Sequence, residues 1–350
     1  ISSGGNGFLW TSRPGLDSVH SSFQMQNVLL IGFGFMGRTH AGIYARLPDV
    51  RVTGIVDNNG KLSESILNEN HATGVPVFAD LASAVSAVDV SVVDICLPTD
   101  LHCGIAQAAF AAGKHVFCEK PIALKREEAT LMIEAARRAD RQFMVGHCIR
   151  FWPEYVALRE MTDSGAHGRL VSLSMIRRTG RPNYSVGDWV NQPERCRGAA
   201  LDLHIHDVDF LLHLLGHPEG LVSQGLRDET GWNTISTQYA YAGRRVTAEG
   251  GWNYPSSWGF QMGFSAVFER AALDYDSRQG LFLTTENSEP VRVSVSSLDG
   301  YHHELAYFIG CLERGEPVTI STGAQAAASL DLVLTEIESA SHGQPISLST

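Results

Sequence analysis

Val28-Leu29-Leu30-Ile31 is an unbroken apolar run, the pattern of a strand buried on both faces. Runs of this kind at residues 27–32, 52–57, 90–96, 115–118 and 143–147 alternate with helical spacing at 36–47, 61–69, 101–112 and 126–139. Strands separated by helices imply a parallel sheet with right-handed crossovers. After residue 148 the tempo changes. One strongly apolar helix is predicted over 199–215, then short strands over 234–240, 245–250, 261–268 and 271–275, which fit an antiparallel meander. Two helices close the chain, at 302–314 and 324–341, stopped by Gly315 and Pro317 and by Gly343 and Pro345. The expected class is therefore α/β, with a doubly wound parallel sheet over 25–148 and a mostly antiparallel α/β domain over 149–350. Residues 1–24 are rich in Gly and Ser and show neither periodicity nor the regions of a signal peptide. A disordered extension is expected there, with Met25 a candidate natural start.

Composition narrows the partners. A length of 350 residues suits one large or two ordinary domains, and 44% hydrophobic residues suffice for their cores. With 27 Lys+Arg against 38 Asp+Glu the net charge is −11 and no basic block occurs, which disfavours nucleic acid and anionic membranes. A small metabolite is the expected partner. Six scattered cysteines without a C-x-x-C pair argue against a zinc knuckle or a disulfide-stapled domain, so reduced thiols and no metal are expected. The longest apolar stretch, near 28–37, is interrupted by glycines and falls short of the roughly 20 residues that span a bilayer. A cytoplasmic location is expected.

Candidate chemistry begins with Gly32-Phe33-Gly34-Phe35-Met36-Gly37, a G-x-G-x-x-G between a predicted strand and helix. The first glycine permits a tight turn, the second lets backbone approach a pyrophosphate, and the third lets helix and strand pack. Asp57 ends the second strand twenty residues after Gly37, where an acid takes the adenosine ribose hydroxyls. Asp57 would repel a 2′-phosphate and no arginine follows it directly, so NAD is expected over NADP. Ligands of open parallel sheets lie beyond the carboxyl ends of the strands, which places Pro98, Thr99 and His102, and Glu119, Lys120 and Pro121, near the nicotinamide end. Lys120 follows a buried strand, where desolvation can tune its amine; a lysine snorkelling from a strand end is the plain alternative. His102 reads more readily as structural.

On the 199–215 helix, at about 100° per residue, Asp202, His206, Asp209 and His213 share one stripe in an otherwise apolar segment. Either the stripe is solvated or it faces an enclosed cleft. In the second case Asp202 orients His206 for acid/base work. His204 and His206, two residues apart, point away from each other and cannot share a metal ion. Arg150, Phe151, Trp152 and Trp189 are candidates for a pocket wall, or for ordinary packing at the domain junction.

In order and spacing, the glycine fingerprint, Glu119-Lys120-Pro121, Asp202-x-x-x-His206 and the terminal Glu304-x-x-x-Phe308 resemble the Gfo/Idh/MocA oxidoreductases, the glucose-fructose oxidoreductase and inositol dehydrogenase group. The resemblance runs from about Met25 to the C-terminus. It implies a Rossmann domain joined to a domain with a large open-faced sheet, and homodimers or homotetramers paired through those sheets. It also implies Lys120, Asp202 and His206 as the catalytic trio, which also contacts substrate, with Glu119 and Pro121 shaping the nicotinamide pocket. Arg197-Gly198 departs from the Gly-Gly that many members carry before the helix. The expected function is oxidation of a secondary hydroxyl of a cyclic polyol or sugar, with hydride passing to NAD. The alternatives are an NAD-dependent glycoside hydrolase of the same fold and a non-catalytic NAD-binding sensor.

Overall fold

The computed structural model describes residues 25–57, 62–183 and 185–348. The expectation of a disordered extension falls outside them, as do the residues directly after Asp57. The first sheet is built from β1 (Gln26–Ile31), α1 (Phe35–Tyr44), β2 (Val50–Val56), α2 (Glu64–Glu69), β3 (Val77–Phe78), α3 (Leu81–Ala87), β4 (Val92–Ile95), α4 (His102–Ala111), β5 (His115–Glu119), α5 (Arg126–Ala139) and β6 (Phe143–Gly146). Its six strands are all parallel, in the order β3-β2-β1-β4-β5-β6. This doubly wound arrangement leaves a crevice between β1 and β4, where the winding reverses. The unbroken apolar run has a direct reason: Leu29 and Ile31 enter one core with α3, α4 and α5, while Val28 and Leu30 enter another. That second core is closed by α1 and by a helix from the far end of the chain.

The remainder comprises α6 (Pro153–Ser164), β7 (Leu170–Gly180), α7 (Ile205–Leu215), β8 (Gly220–Asp228), β9 (Gly231–Tyr241), β10 (Arg244–Tyr254), β11 (Gln261–Phe268), β12 (Ala271–Asp276), β13 (Gly280–Thr285), β14 (Val291–Arg292), α8 (Gly300–Arg314), α9 (Gly323–His342) and β15 (Ile346–Ser347). The nine strands run in the order β14-β13-β12-β11-β7-β10-β9-β8-β15. The sheet is mostly antiparallel, as expected, but it is not a simple meander. β7 lies between β10 and β11 and pairs with β10 in parallel. Along β9 buried and open positions alternate strictly, so one face packs on helices and the other is uncovered.

α8 returns to the first sheet. Its Leu305, Phe308 and Ile309 complete the core holding Val28 and Leu30, and Asp299 caps it by accepting from His302 N at 2.8 Å. α9 opens with a full capping box between Thr322 and Gln325. All six cysteines are unpaired. Among the described residues no helix is long and apolar enough to cross a membrane.

Candidate active site

The three fingerprint glycines meet three different demands. Gly32 has φ +92°, and a Cβ there would lie 2.5 Å from the Cys96 carbonyl oxygen. A Cβ on Gly37 would sit 2.1 Å from the Gly32 carbonyl oxygen, which is the close helix–strand contact. Around Gly34 no atom lies within 4 Å of that position, so the loop presents bare backbone to the crevice. α1 starts directly after Gly34 with no side-chain cap, leaving its first-turn N–H groups to an outside acceptor. Phe33 is buried, whereas Phe35 is 67% exposed and Met36 half-buried. Asp57 stands just past β2, half-buried, with its backbone N–H bonded to the Phe78 carbonyl at 3.1 Å. Glycine cradle, uncapped helix start and terminal acid together fit a dinucleotide.

The loops after β4 and β5 are joined by His102. Its Nδ1 lies 2.9 Å from the Pro121 carbonyl and its Nε2 2.8 Å from the Leu97 carbonyl, and the ring is fully buried. Both nitrogens thus face carbonyl oxygens, and with burial lowering its pKa the neutral ring donates to one of them. His102 spaces the two loops, its buried ring lying between them. Pro98 is half-buried and Thr99 buried at the start of the turn that enters α4. The Lys120–Pro121 peptide is cis. Glu119 Oε2 accepts from the Lys120 backbone N–H at 3.2 Å.

Lys120 Nζ donates to the Asp202 carbonyl at 2.7 Å and to Asp202 Oδ1 at 2.9 Å. Both side chains retain 15% exposure, so the pair is partly open to solvent. This corrects the expected pairing, because Asp202 gives its carboxylate to Lys120 and not to His206. Residues Ala200–His204 form a π-helical turn before α7, and Lys120 takes both the carbonyl and the carboxylate of Asp202 there. His206 is 8% exposed and its Nδ1 has no protein partner among the described residues. Burial, followed by the charges of Lys120 and Arg177, pushes its pKa well below 6.5 and keeps the imidazole neutral. His204 points to the opposite side, its Nε2 2.9 Å from Glu336 on α9.

The candidate wall residues divide. Arg150 is buried, with Nε and Nη2 each 2.7 Å from Asp209 and Nη1 2.7 Å from Gln325. Phe151 packs on Tyr307 of α8 with ring centres 5.3 Å apart, and Trp152 packs edge-on against Tyr301. Arg150, Phe151 and Trp152 therefore serve the junction between the two sheets. Arg150 and Phe151 do line an open cleft of about 710 Å³, but it lies among α6, the end of α7 and the start of α9, with His213 and His217 on its wall. Trp189 is half-buried against a cluster containing Val190, Cys196, Ala199, Leu203 and Trp252, which braces the π turn.

Some neighbours of the site escaped the sequence reading. His147, at the end of β6, is fully buried 3.6 Å from Asp209, and burial lowers its pKa to about 4. Arg177 and Asp207 form a buried pair at 2.9 Å and 3.1 Å beneath His206. Arg197 adopts φ +65°, which explains why glycine suits that position before the turn.

Fold and site define a two-sheet, NAD-binding oxidoreductase. Residues 26–147 match the profile of an oxidoreductase family with an NAD-binding Rossmann fold, and residues 155–273 match the GFO/IDH/MocA C-terminal domain. The chain belongs to the Gfo/Idh/MocA oxidoreductase family. It is similar to the inositol 2-dehydrogenase of Rhizobium meliloti (strain 1021), 26% identical over 349 residues covering 91% of this chain and 98% of that protein. It is also similar to the levoglucosan dehydrogenase of Pseudarthrobacter phenanthrenivorans, 33% identical over 217 residues covering 55% and 52% of the two chains. A solved levoglucosan dehydrogenase in complex with NADH and levoglucosan superposes with a TM-score of 0.82 at 22% identity, covering 93% of this chain and all of that one.

Proposed function

We propose that this enzyme oxidises a secondary hydroxyl of a cyclic polyol or sugar with NAD as the hydride acceptor. What supports the reading is the Lys120–Asp202 pair together with a neutral His206 whose Nδ1 is unpartnered and which feels the Lys120 charge. When bound, nicotinamide supplies the hydride acceptor. The rest falls to side chains of this chain. Neutral His206 accepts the hydroxyl proton, and Lys120, held in place by Asp202, stabilises the charge developing on that oxygen. Asp202 therefore acts on the lysine. The similarity to inositol and levoglucosan dehydrogenases supports a cyclic, hydroxyl-rich substrate. Asp57 supports NAD over NADP by repelling a 2′-phosphate.

Trp189, on the loop that braces the π turn, is proposed to cover the sugar ring. Pairing of two copies through the uncovered face of the nine-stranded sheet is proposed as well, since Ser172, Ser174, Ile176, Ser265 and Val267 leave that face nearly flat.

A panel of inositols, anhydrosugars, aldoses and sugar acids with NAD and with NADP, followed by absorbance of the reduced nicotinamide, tests the reading. Stoichiometric NADH with one cyclic member supports it. Release of an aglycone from a glycoside without net NADH would favour hydrolysis through transient oxidation instead.

A further inference from the structure

Behind the Lys120 loop, and away from the substrate side, lies a buried cluster that the reaction above does not use. His40 of α1 is fully buried, with Nδ1 2.8 Å from Asp94 of β4 and Nε2 3.2 Å from Glu119 Oε1 of β5. Glu304 of α8 completes the group. The ligating atoms of His40, Glu119 and Glu304 all lie within 4.8 Å of one another, and Glu304 is 0% exposed with no partner for either carboxyl oxygen among the described residues. Glu119 Oε1 faces His40 Nε2, while its other oxygen accepts from the Lys120 N–H at 3.2 Å.

A buried carboxylate with neither donor nor cation is untenable, since an isolated ion costs many times what a domain can spare. Of the charged groups acting on Glu304, only His40 favours its ionised form, while Glu119 of β5, Asp94 of β4 and Asp299 at the start of α8 oppose it. Tyr44 of α1, Cys148 of the turn after β6 and Tyr301 of α8 also face it, all with raised pKa values that keep them neutral. His40 spends its one positive charge between Asp94 and Glu119. With both nitrogens protonated it has no lone pair left for a cation.

We propose that Glu304 is a neutral carboxylic acid that donates its proton in a hydrogen bond to Glu119, and that through Glu119 it positions Lys120. The device ties α8 to the β5 loop and links the last helices of the chain to the reacting amine. It builds on the role proposed for Lys120, but its own readouts do not require turnover. Burial, reinforced by Glu119, raises the Glu304 pKa well above the ordinary carboxyl range, in agreement with the geometry. The sign for stability follows. A carboxyl raised in the folded state contributes fully below the unfolded value of about 4.3, and its contribution is lost as pH rises through the folded value.

The test uses Glu304→Gln, whose amide retains a donor, and Glu304→Leu, which removes it. Melting temperatures are taken from pH 5 to pH 9, and acylation of Lys120 by acetic anhydride is measured by peptide mass spectrometry against the exposed Lys125. Glu304→Gln should melt close to the parent at pH 5 and about 5 °C or more above it at pH 9, because the amide never ionises. Lys120 should label about fivefold faster in Glu304→Leu, what one lost hydrogen bond is worth in an opening equilibrium, and at the parental rate in Glu304→Gln. A melting difference independent of pH would overturn the neutral acid, and parental labelling in Glu304→Leu would overturn the positioning role. One equivalent of zinc or manganese, bound by the parent and absent from Glu304→Gln, would replace the proton by a metal ion and overturn the proposal. Unimpaired turnover in Lys120→Ala would remove the catalytic reading of the lysine while leaving both readouts in force.

Discussion

Arg150→Leu separates a structural arginine from a substrate-binding one, and its cost can be worked from the geometry. The guanidinium makes two hydrogen bonds of 2.7 Å to Asp209 and one of 2.7 Å to Gln325, with side-chain exposure of 2% for Arg150 and 0% for Asp209. Leucine removes the pair's cation and leaves the Asp209 charge stranded in the core. Breaking a buried pair in this way costs about 3–5 kcal/mol. The Ser329 hydroxyl, 2.7 Å from Asp209 Oδ1, and His147 at 3.6 Å offset part of it, so the lower end applies. At about 2–4 °C per kcal/mol the melting temperature should fall by on the order of 10 °C.

The loss should depend on pH in a defined direction. Burial on its own would raise the Asp209 pKa, but Arg150 and then His147 hold it below the ordinary carboxylate value. Its contribution in the parent is therefore present above the unfolded range near 3.9 and is lost as pH falls through the folded value. In Arg150→Leu burial prevails and the sign reverses, so the gap between parent and variant should narrow as pH drops from 7 towards 4. Replacing Asp209 by Leu in the same chain should recover much of the loss, because a packed apolar pair avoids the stranded charge. The assay is thermal unfolding across pH, paired with KM for the substrate of the folded fraction. A variant that melts within about 1 kcal/mol of the parent while KM rises steeply would refute this reasoning and return Arg150 to the substrate.

Other outcomes follow from single features. Gly37→Ala should abolish NAD binding or folding, since its Cβ would meet the Gly32 carbonyl, whereas Gly34→Ala should fold normally and weaken NAD binding only; equal melting and equal NAD affinity in both would contradict the cradle. Asp57→Ser should narrow the gap between the NAD and NADP dissociation constants by relieving charge repulsion, and NADP binding as tightly as NAD in the parent would remove the argument. Arg197→Gly should raise stability by about 0.5–1 kcal/mol in denaturant unfolding through release of its left-handed backbone, and a loss of stability would contradict this. Oxidation should hold its rate from neutral to weakly acid pH and fall only where the lowered His206 pKa is reached, so a midpoint at or above 6.5 would speak against this base.

The parts of the molecule legible in the sequence are those set by local pattern. Four apolar residues in a row announced β1, and two core faces meet there. The glycine spacing announced the crevice because the steric demand at Gly32 and Gly37 is a property of adjacent backbone. β7 stayed hidden although it is central, because Arg177-Arg178 breaks its apolar alternation; the compensation for buried Arg177 is Asp207, on another element. The π turn was invisible for a different reason, since a helical wheel assumes a fixed angle per residue. Four positions apart, Asp202 looked like the partner of His206, whereas Lys120, 82 positions away, holds it. Glu304 was noted for its spacing alone. Its burial against His40 and Glu119 depends on α8 returning to the first sheet, which no local pattern encodes.

Single-turnover oxidation of the best cyclic polyol or sugar by NAD-saturated Lys120→Ala and His206→Ala tests the central claim most directly. Each variant must first melt normally and bind NAD with near-parental affinity. The account predicts that NADH forms about 100-fold or more slowly in both, since each removes a group acting on the reacting hydroxyl. Near-parental NADH formation in either variant would contradict it.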